Sequence, residues 1–132
     1  MQRTQSENRH RALCVRIRLI HAKMKFMLIH IVCWIYKPET DDATRDEHRA
    51  KLRSLPLMIE NIMSFDVGAD ILHLERSFDT GLVVHFPDRA ALDHYTDHPE
   101  HKRVAAMGKE IAERVVSVDF FDRDRDGAAS AL

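Results

Sequence analysis

Nine histidines in 132 residues pose the first chemical question, because imidazole ionises nearest neutrality and serves as base, acid or metal ligand. Their spacing is tightest in Tyr95-Thr-Asp-His-Pro-Glu-His101. His94, His98 and His101 are four and three residues apart, which on one unbroken helix would align three imidazoles. Pro99 interrupts such a helix between the first two, no acid is placed to complete a tetrahedral set, and no close cysteine pair exists; no metal site is expected. His98 suits instead the cap of a helix beginning at Pro99. His73 and His85, among apolar neighbours, read as structural imidazoles, and Asp79 as a turn or sheet-edge partner. Cys33 lies inside an apolar run with no cation nearby to lower its pKa, so a thiol nucleophile is not expected. The sequence holds no glycine-rich phosphate loop, no Gly-x-Ser-x-Gly elbow and no dinucleotide fingerprint. No cofactor is implied.

The elements that must position these groups belong to an ordinary globular domain. Apolar residues make up 45% and charged residues 31%, with four Gly and four Pro, which excludes disordered and collagenous classes. The longest apolar run, 26–36, is broken by His30 and is well short of the ~20 residues needed to cross a bilayer. Cys14 and Cys33 stand in unlike settings, so a disulfide framework is not expected and a reducing cytoplasm fits. Residues 1–25 carry seven Lys or Arg against Glu7, leaving −7 on the remainder. We therefore expect 1–26 to be a basic N-terminal extension outside the fold, 27–121 the domain and 122–132 a flexible tail. The acidic body speaks against a nucleic-acid partner, since phosphate binding needs clustered cations.

Residues 26–36 are β-branched and aromatic and end at Lys37-Pro38, which predicts a strand. Alternation puts His30, Val32, Trp34 and Tyr36 on one face and Ile29, Ile31, Cys33 and Ile35 on the other. A helix is predicted from a Thr40 cap to about Leu55, buried through Leu52, Leu55 and Ile59, with Pro56 interrupting and a short turn resuming to Met63. A second strand is predicted from Ser64 to about Leu74 and a third from Phe78 to Phe86. Asp88 caps a short helix through Tyr95; another runs from Pro99 with Val104, Met107 and Ile111 inward; a last strand spans Val115 to Phe121. The order βαββααβ predicts an α+β, ferredoxin-like monomer with a four-stranded antiparallel sheet and helices on one face. The Ile29 face would then stay uncovered, a larger apolar patch than monomers usually expose. A homodimer through that face is expected.

Three stretches carry a family resemblance: Met27-Leu-Ile-His-Ile-Val-Cys-Trp34, Val67-Gly-Ala-Asp-Ile-Leu-His-Leu-Glu-Arg-Ser-Phe-Asp79, and Tyr95-Thr-Asp-His-Pro-Glu-His101. In this order the chain resembles the stress-responsive dimeric α/β-barrel, or Dabb, domain over about residues 27–121. The resemblance implies a ferredoxin-like subunit whose sheet pairs with a partner's to form a dimeric α/β barrel. Most members have no assigned role, while a plant member is a polyketide cyclase that closes a ring by an aldol step between helices and sheet. Its catalytic tyrosine and histidine would be Tyr95 and His101, with a further pocket histidine at His30. A fourth histidine, near the start of the third strand, falls at about Thr80 and is absent; His85 lies on the opposite face by alternation.

Cofactor-free aldol chemistry needs a base poised near neutrality and a donor for the developing oxyanion. His101 would be the base, Tyr95 would orient the carbonyl, and His30 would support from the strand. The start of a helix disfavours imidazolium, which would depress the basicity of His101. Two readings remain: a dimeric protein that holds a small apolar or aromatic ligand without turnover, with Trp34, Phe86 and His98 at the ligand, and a cofactor-independent enzyme of cyclase or monooxygenase type. An open cavity where Tyr95, His30 and His101 converge favours the enzyme; an interior filled by Trp34 or Phe86 favours the binder. Turnover lost on removing His101 but kept on removing His48 would separate them.

Overall fold

The computed structural model describes residues 26–123; the expectations for the basic extension, and for the tail from residue 124 onward, lie outside the described residues. The elements are β1 (Leu28–Tyr36), α1 (Asp42–Ser54), a 3-10 turn (Leu55–Leu57), β2 (Ser64–Ala69), β3 (Thr80–Phe86), α2 (Arg89–Asp97), α3 (Pro99–Ile111) and β4 (Ala112–Phe121). Every neighbouring pair in the sheet order β2-β3-β1-β4 is antiparallel. This is the expected ferredoxin-like α+β arrangement, with two consecutive helices in the second crossover.

Strand alternation decides what reaches the core. Leu28, Val32, Trp34 and Tyr36 of β1 and Leu82, Val84 and Phe86 of β3 are buried with Leu52, Leu55, Ile59, Tyr95 and Val104 from the helical layer. Ile29, Ile31, Cys33 and Ile35 point the other way and are half-buried. On the same outer face β4 aligns Val116 with Cys33, Val118 with Ile31 and Phe120 with Ile29, and Val118 and Phe120 remain 52% and 43% exposed.

Several boundaries differ from expectation for identifiable reasons. The cap of α1 is Asp41, whose Oδ1 accepts from the Thr44 N–H at 2.8 Å; the Thr40 hydroxyl instead donates to the Ile111 carbonyl at 2.9 Å and ties the β1–α1 loop to the end of α3. Pro56 ends the helix in a 3-10 turn that does not resume, because Asn61 takes a left-handed φ of 63° and the Met63 N–H pairs with the His85 carbonyl at 2.8 Å. β2 stops at Ala69 rather than near Leu74. There Asp70 accepts from the His73 N–H at 2.6 Å, and His73 adopts a φ of 51°, so residues 70–79 form a loop and β3 begins at Thr80. The His73 side chain is 78% exposed, not packed among apolar neighbours. Asp79 joins the strand ends as expected, its Oδ2 accepting from the Tyr36 N–H at 2.8 Å. On α3 the buried positions are Val104 and Gly108, with Met107 and Ile111 half-buried.

Candidate functional site

The register that aligns His30 with Val84 on one side and Asp119 on the other sets one end of a cavity of about 710 Å³ between the sheet and the helices. β1 supplies His30, Val32 and Trp34, α2 supplies Tyr95 and Thr96, and α3 supplies His101, Ala105 and Lys109. Pro99 makes this possible. It ends α2 and starts α3 at His98, whose Nδ1 accepts from the Glu100 N–H at 3.1 Å, so Tyr95 in the last turn of one helix meets His101 in the first turn of the next. Their ring centroids are 4.3 Å apart, and that of His30 is 6.0 Å from Tyr95.

Hydrogen bonds assign the protons. His101 Nδ1 lies 3.1 Å from the Thr96 carbonyl, which can only accept, so Nδ1 carries the hydrogen and Nε2 of the neutral ring keeps its lone pair. His30 Nδ1 lies 2.5 Å from Asp119 Oδ1, so Nδ1 is spent on the carboxylate and Nε2 points away from it. Burial lowers the His101 pKa from the ordinary histidine value, the Thr96 carbonyl partly opposes this, and His30 or His98 lowers it again whenever it is protonated. Desolvation is thus the main cause, ahead of anything the helix start contributes. Burial raises the Tyr95 pKa well above the ordinary phenol range, so Tyr95 stays a donor. Its hydroxyl has no hydrogen-bond partner among the described residues. Neutral base, neutral acid and an apolar trough together suit proton transfer next to a carbonyl.

The expected site residues do not all share this space. His30, Tyr95, His101 and Trp34 line the cavity. Phe86 is fully buried behind it, 5.2 Å from the Tyr95 ring, and His98 is spent as the cap of α3. Neither is among the lining residues. Asp119 was not singled out from sequence, although an acid inside the alternating run Val116-Ser-Val-Asp-Phe120 was a usable signal.

A second cluster was invisible to spacing. Arg49 Nη1 donates to Thr80 Oγ1 at 2.9 Å, Thr80 Oγ1 lies 2.8 Å from the Tyr36 hydroxyl, and that hydroxyl lies 2.7 Å from His48 Nδ1. His48 is fully buried and sits edge-on to Trp34 at 5.0 Å, so its removal would disturb the core and it cannot serve as a neutral control. The imidazole missing at Thr80 is thus not replaced from β3; the ring in this cluster comes from α1. His85 turns to the other face and pairs with Ser64 Oγ at 2.7 Å.

The family model of the stress responsive A/B barrel domain matches residues 28–122. The chain belongs to that family. A comparison with curated proteins returned no match. Among solved structures, a dimeric ferredoxin-like protein of unknown function from Thermobifida fusca is 21% identical, with a TM-score of 0.67 over 72% of this chain and 90% of that one. A counterpart so described from Jannaschia sp. is 27% identical, with a TM-score of 0.62 over 71% and 97%. Hydroxynitrile lyase from Passiflora edulis is 17% identical, with a TM-score of 0.68 over 74% and 94%. These likenesses agree on the fold; the Dabb chain described here shares it with proteins of differing or unassigned roles.

Proposed function

We propose that the cavity binds a small apolar or aromatic carbonyl compound and acts on it by cofactor-independent acid–base chemistry. His101 Nε2 removes a proton next to the carbonyl, the Tyr95 hydroxyl donates to the oxygen as negative charge develops there, and His30, oriented by Asp119, supports the same end. The observation that supports this most is the proton assignment: His101 is tied through Nδ1 to Thr96 beside a buried phenol with no partner of its own, in a cavity of about 710 Å³. The test is turnover of a panel of linear polyketide and quinol-like substrates by the full chain. Loss in both His101→Gln and Tyr95→Phe, with activity retained in a variant of the exposed His94, supports it; activity that survives both losses refutes it. The lowered basicity of His101 favours a second reading, in which the ligand is held without turnover. Saturable calorimetric binding of a substrate that is never converted would assign that role.

We further propose that two copies associate through the outer sheet face to close the barrel, in the cytoplasm. The Thermobifida and Jannaschia neighbours are described as dimeric, and the face from Ile29 to Val118 is apolar and uncovered in one chain. Each such side chain contributes ~1.5–3 kcal/mol when fully buried, enough to drive association if several are covered. Sedimentation at micromolar concentration should find a dimer that Val118→Asp converts to monomer; a folded wild-type monomer would overturn the assembly.

A further inference from the structure

We infer that each copy in the proposed dimer seats the Phe120 ring of the other in a trough on its outer sheet face, between Gly68, Gly81 and Ile71. The inference rests on the proposed association through that face and adds its arrangement: β2 of one copy lies beside β4 of the other.

The order of residues on the outer face cuts the trough. Outward side chains form rows across the sheet that the strand register fixes. One row is Gly68, Gly81, Cys33 and Val116; the next is Asp66, Val83, Ile31 and Val118; the third is Ser64, His85, Ile29 and Phe120. The first row opens with two glycines side by side, and a Cβ placed on either meets nothing within 4 Å. Their missing side chains leave a hollow of about 620 Å³, walled by Ile71, Phe78 and Val83.

This hollow is not filled from its own chain. Ile71 is 85% exposed, yet its loop is held by its own bonds: the Asp70 N–H donates to the Asp79 carbonyl at 2.8 Å and the Ser77 N–H to the Leu74 carbonyl at 2.9 Å. A fixed loop thus keeps a large apolar side chain in water beside an empty trough.

The matching projection stands at the opposite corner of the sheet. Phe120, in the third row, remains 43% exposed. Three strand spacings, about 14 Å, and four residues of strand, about 13 Å, separate it from Gly68, so ring and trough cannot meet within one chain. They can meet across a twofold. β2 and β4 are the two edge strands, and a twofold that sets the β2 edge of each copy beside the β4 edge of the other brings corner to corner twice. The stagger that a closed barrel imposes on its strands carries Phe120 along β2 toward the glycine row. The other closure, β2 on β2 and β4 on β4, would set trough against trough and put both Asp66 carboxylates at one junction.

Exchanging projection and trough tests this by sedimentation equilibrium of the full chain. Gly68→Phe fills the trough from within and Phe120→Gly removes the ring, so each variant alone should loosen the dimer by about a hundredfold. An equimolar mixture should recover near wild-type affinity, because the filled trough then meets the shortened strand while the intact ring meets the open trough. Recovery also shows that both variants fold; should Gly68→Phe not fold, Gly81→Val occupies the same trough and repeats that arm. A mixture no tighter than either variant alone, or a Gly68→Phe dimer as tight as wild type, would overturn the seat while leaving association through the outer face standing. A folded wild-type monomer would sink both.

Discussion

Two imidazole clusters lie under the same helical layer, and they are treated in opposite ways. At one end His101 and His30 each spend Nδ1 on a fixed acceptor, Thr96 or Asp119, and keep Nε2 for the cavity. At the other end His48 spends Nδ1 on the Tyr36 hydroxyl, and its Nε2 is sealed with no partner. If each hydroxyl donates once, protons run from Arg49 to Thr80 to Tyr36 to His48 Nδ1, which puts the remaining hydrogen on Nε2 against Trp34 and Gly108. Ring chemistry is identical in the two places. What the second nitrogen faces, a cavity or packed core, separates a group available to a ligand from one that serves packing.

The sharpest way to test the contrast is to measure both catalysis and stability. His101→Gln should lower turnover of whichever substrate the panel identifies by about 10²–10⁴-fold while leaving the urea midpoint nearly unchanged. His48→Ala should do the reverse in kind, costing ~2–4 kcal/mol of stability from a cavity under Trp34 and a lost partner for Tyr36. An unfolding shift below 1 kcal/mol would mean that the packed end is not packed.

Acid should distinguish the clusters next. Burial, with the Arg49 charge adding to it, lowers the His48 pKa from 6.5 to about 4, so the unfolded chain binds the proton more readily than the folded one. Stability therefore rises with pH across this window. On acidification, loss begins as pH falls through about 6.5 and is complete below about 4, amounting to at most ~3 kcal/mol. Chemical denaturation from pH 7 to pH 4 should show this slope flattened in His48→Gln; an unchanged slope would assign the acid sensitivity elsewhere.

The smallest effect concerns Gly108. A Cβ there would lie 2.8 Å from His48 Nε2 and 2.9 Å from Trp34 Nε1, and neither buried ring can swing aside as the tip of a flexible chain would. Overpacking of ~1–3 kcal/mol set against the ~1 kcal/mol that alanine gains over glycine in a helix leaves a net loss of up to ~2 kcal/mol by thermal unfolding. A more stable Gly108→Ala would show that the contact yields.

Much of this architecture was readable before any coordinates. The two faces of β1, the Asp88 cap, the break at Pro99 and the inward stripe of Leu52, Leu55 and Ile59 follow from local rules of pleat, cap and helical period, and all recur in the structure. Errors collected where long-range contacts override local preference: the Asp70 turn cut β2 short, and the bond from Thr40 to the end of α3 left the cap to Asp41. Tyr95 and His101 were reachable because one short string contains both. Asp119 carried only the signal of an acid within an alternating apolar run, its partner His30 lying 89 residues away, and His48, which meets Thr80 through the Tyr36 hydroxyl, carried none.

By itself, then, the amino-acid order determined the alternation of strands and helices, the apolar outer face and the short string that bears the candidate acid and base, because each depends on neighbours within a few residues. Tertiary structure alone decided which imidazole faces the cavity and which is entombed. Those outcomes depend on strand register and helix placement, which bring together groups that chain separation leaves unrelated.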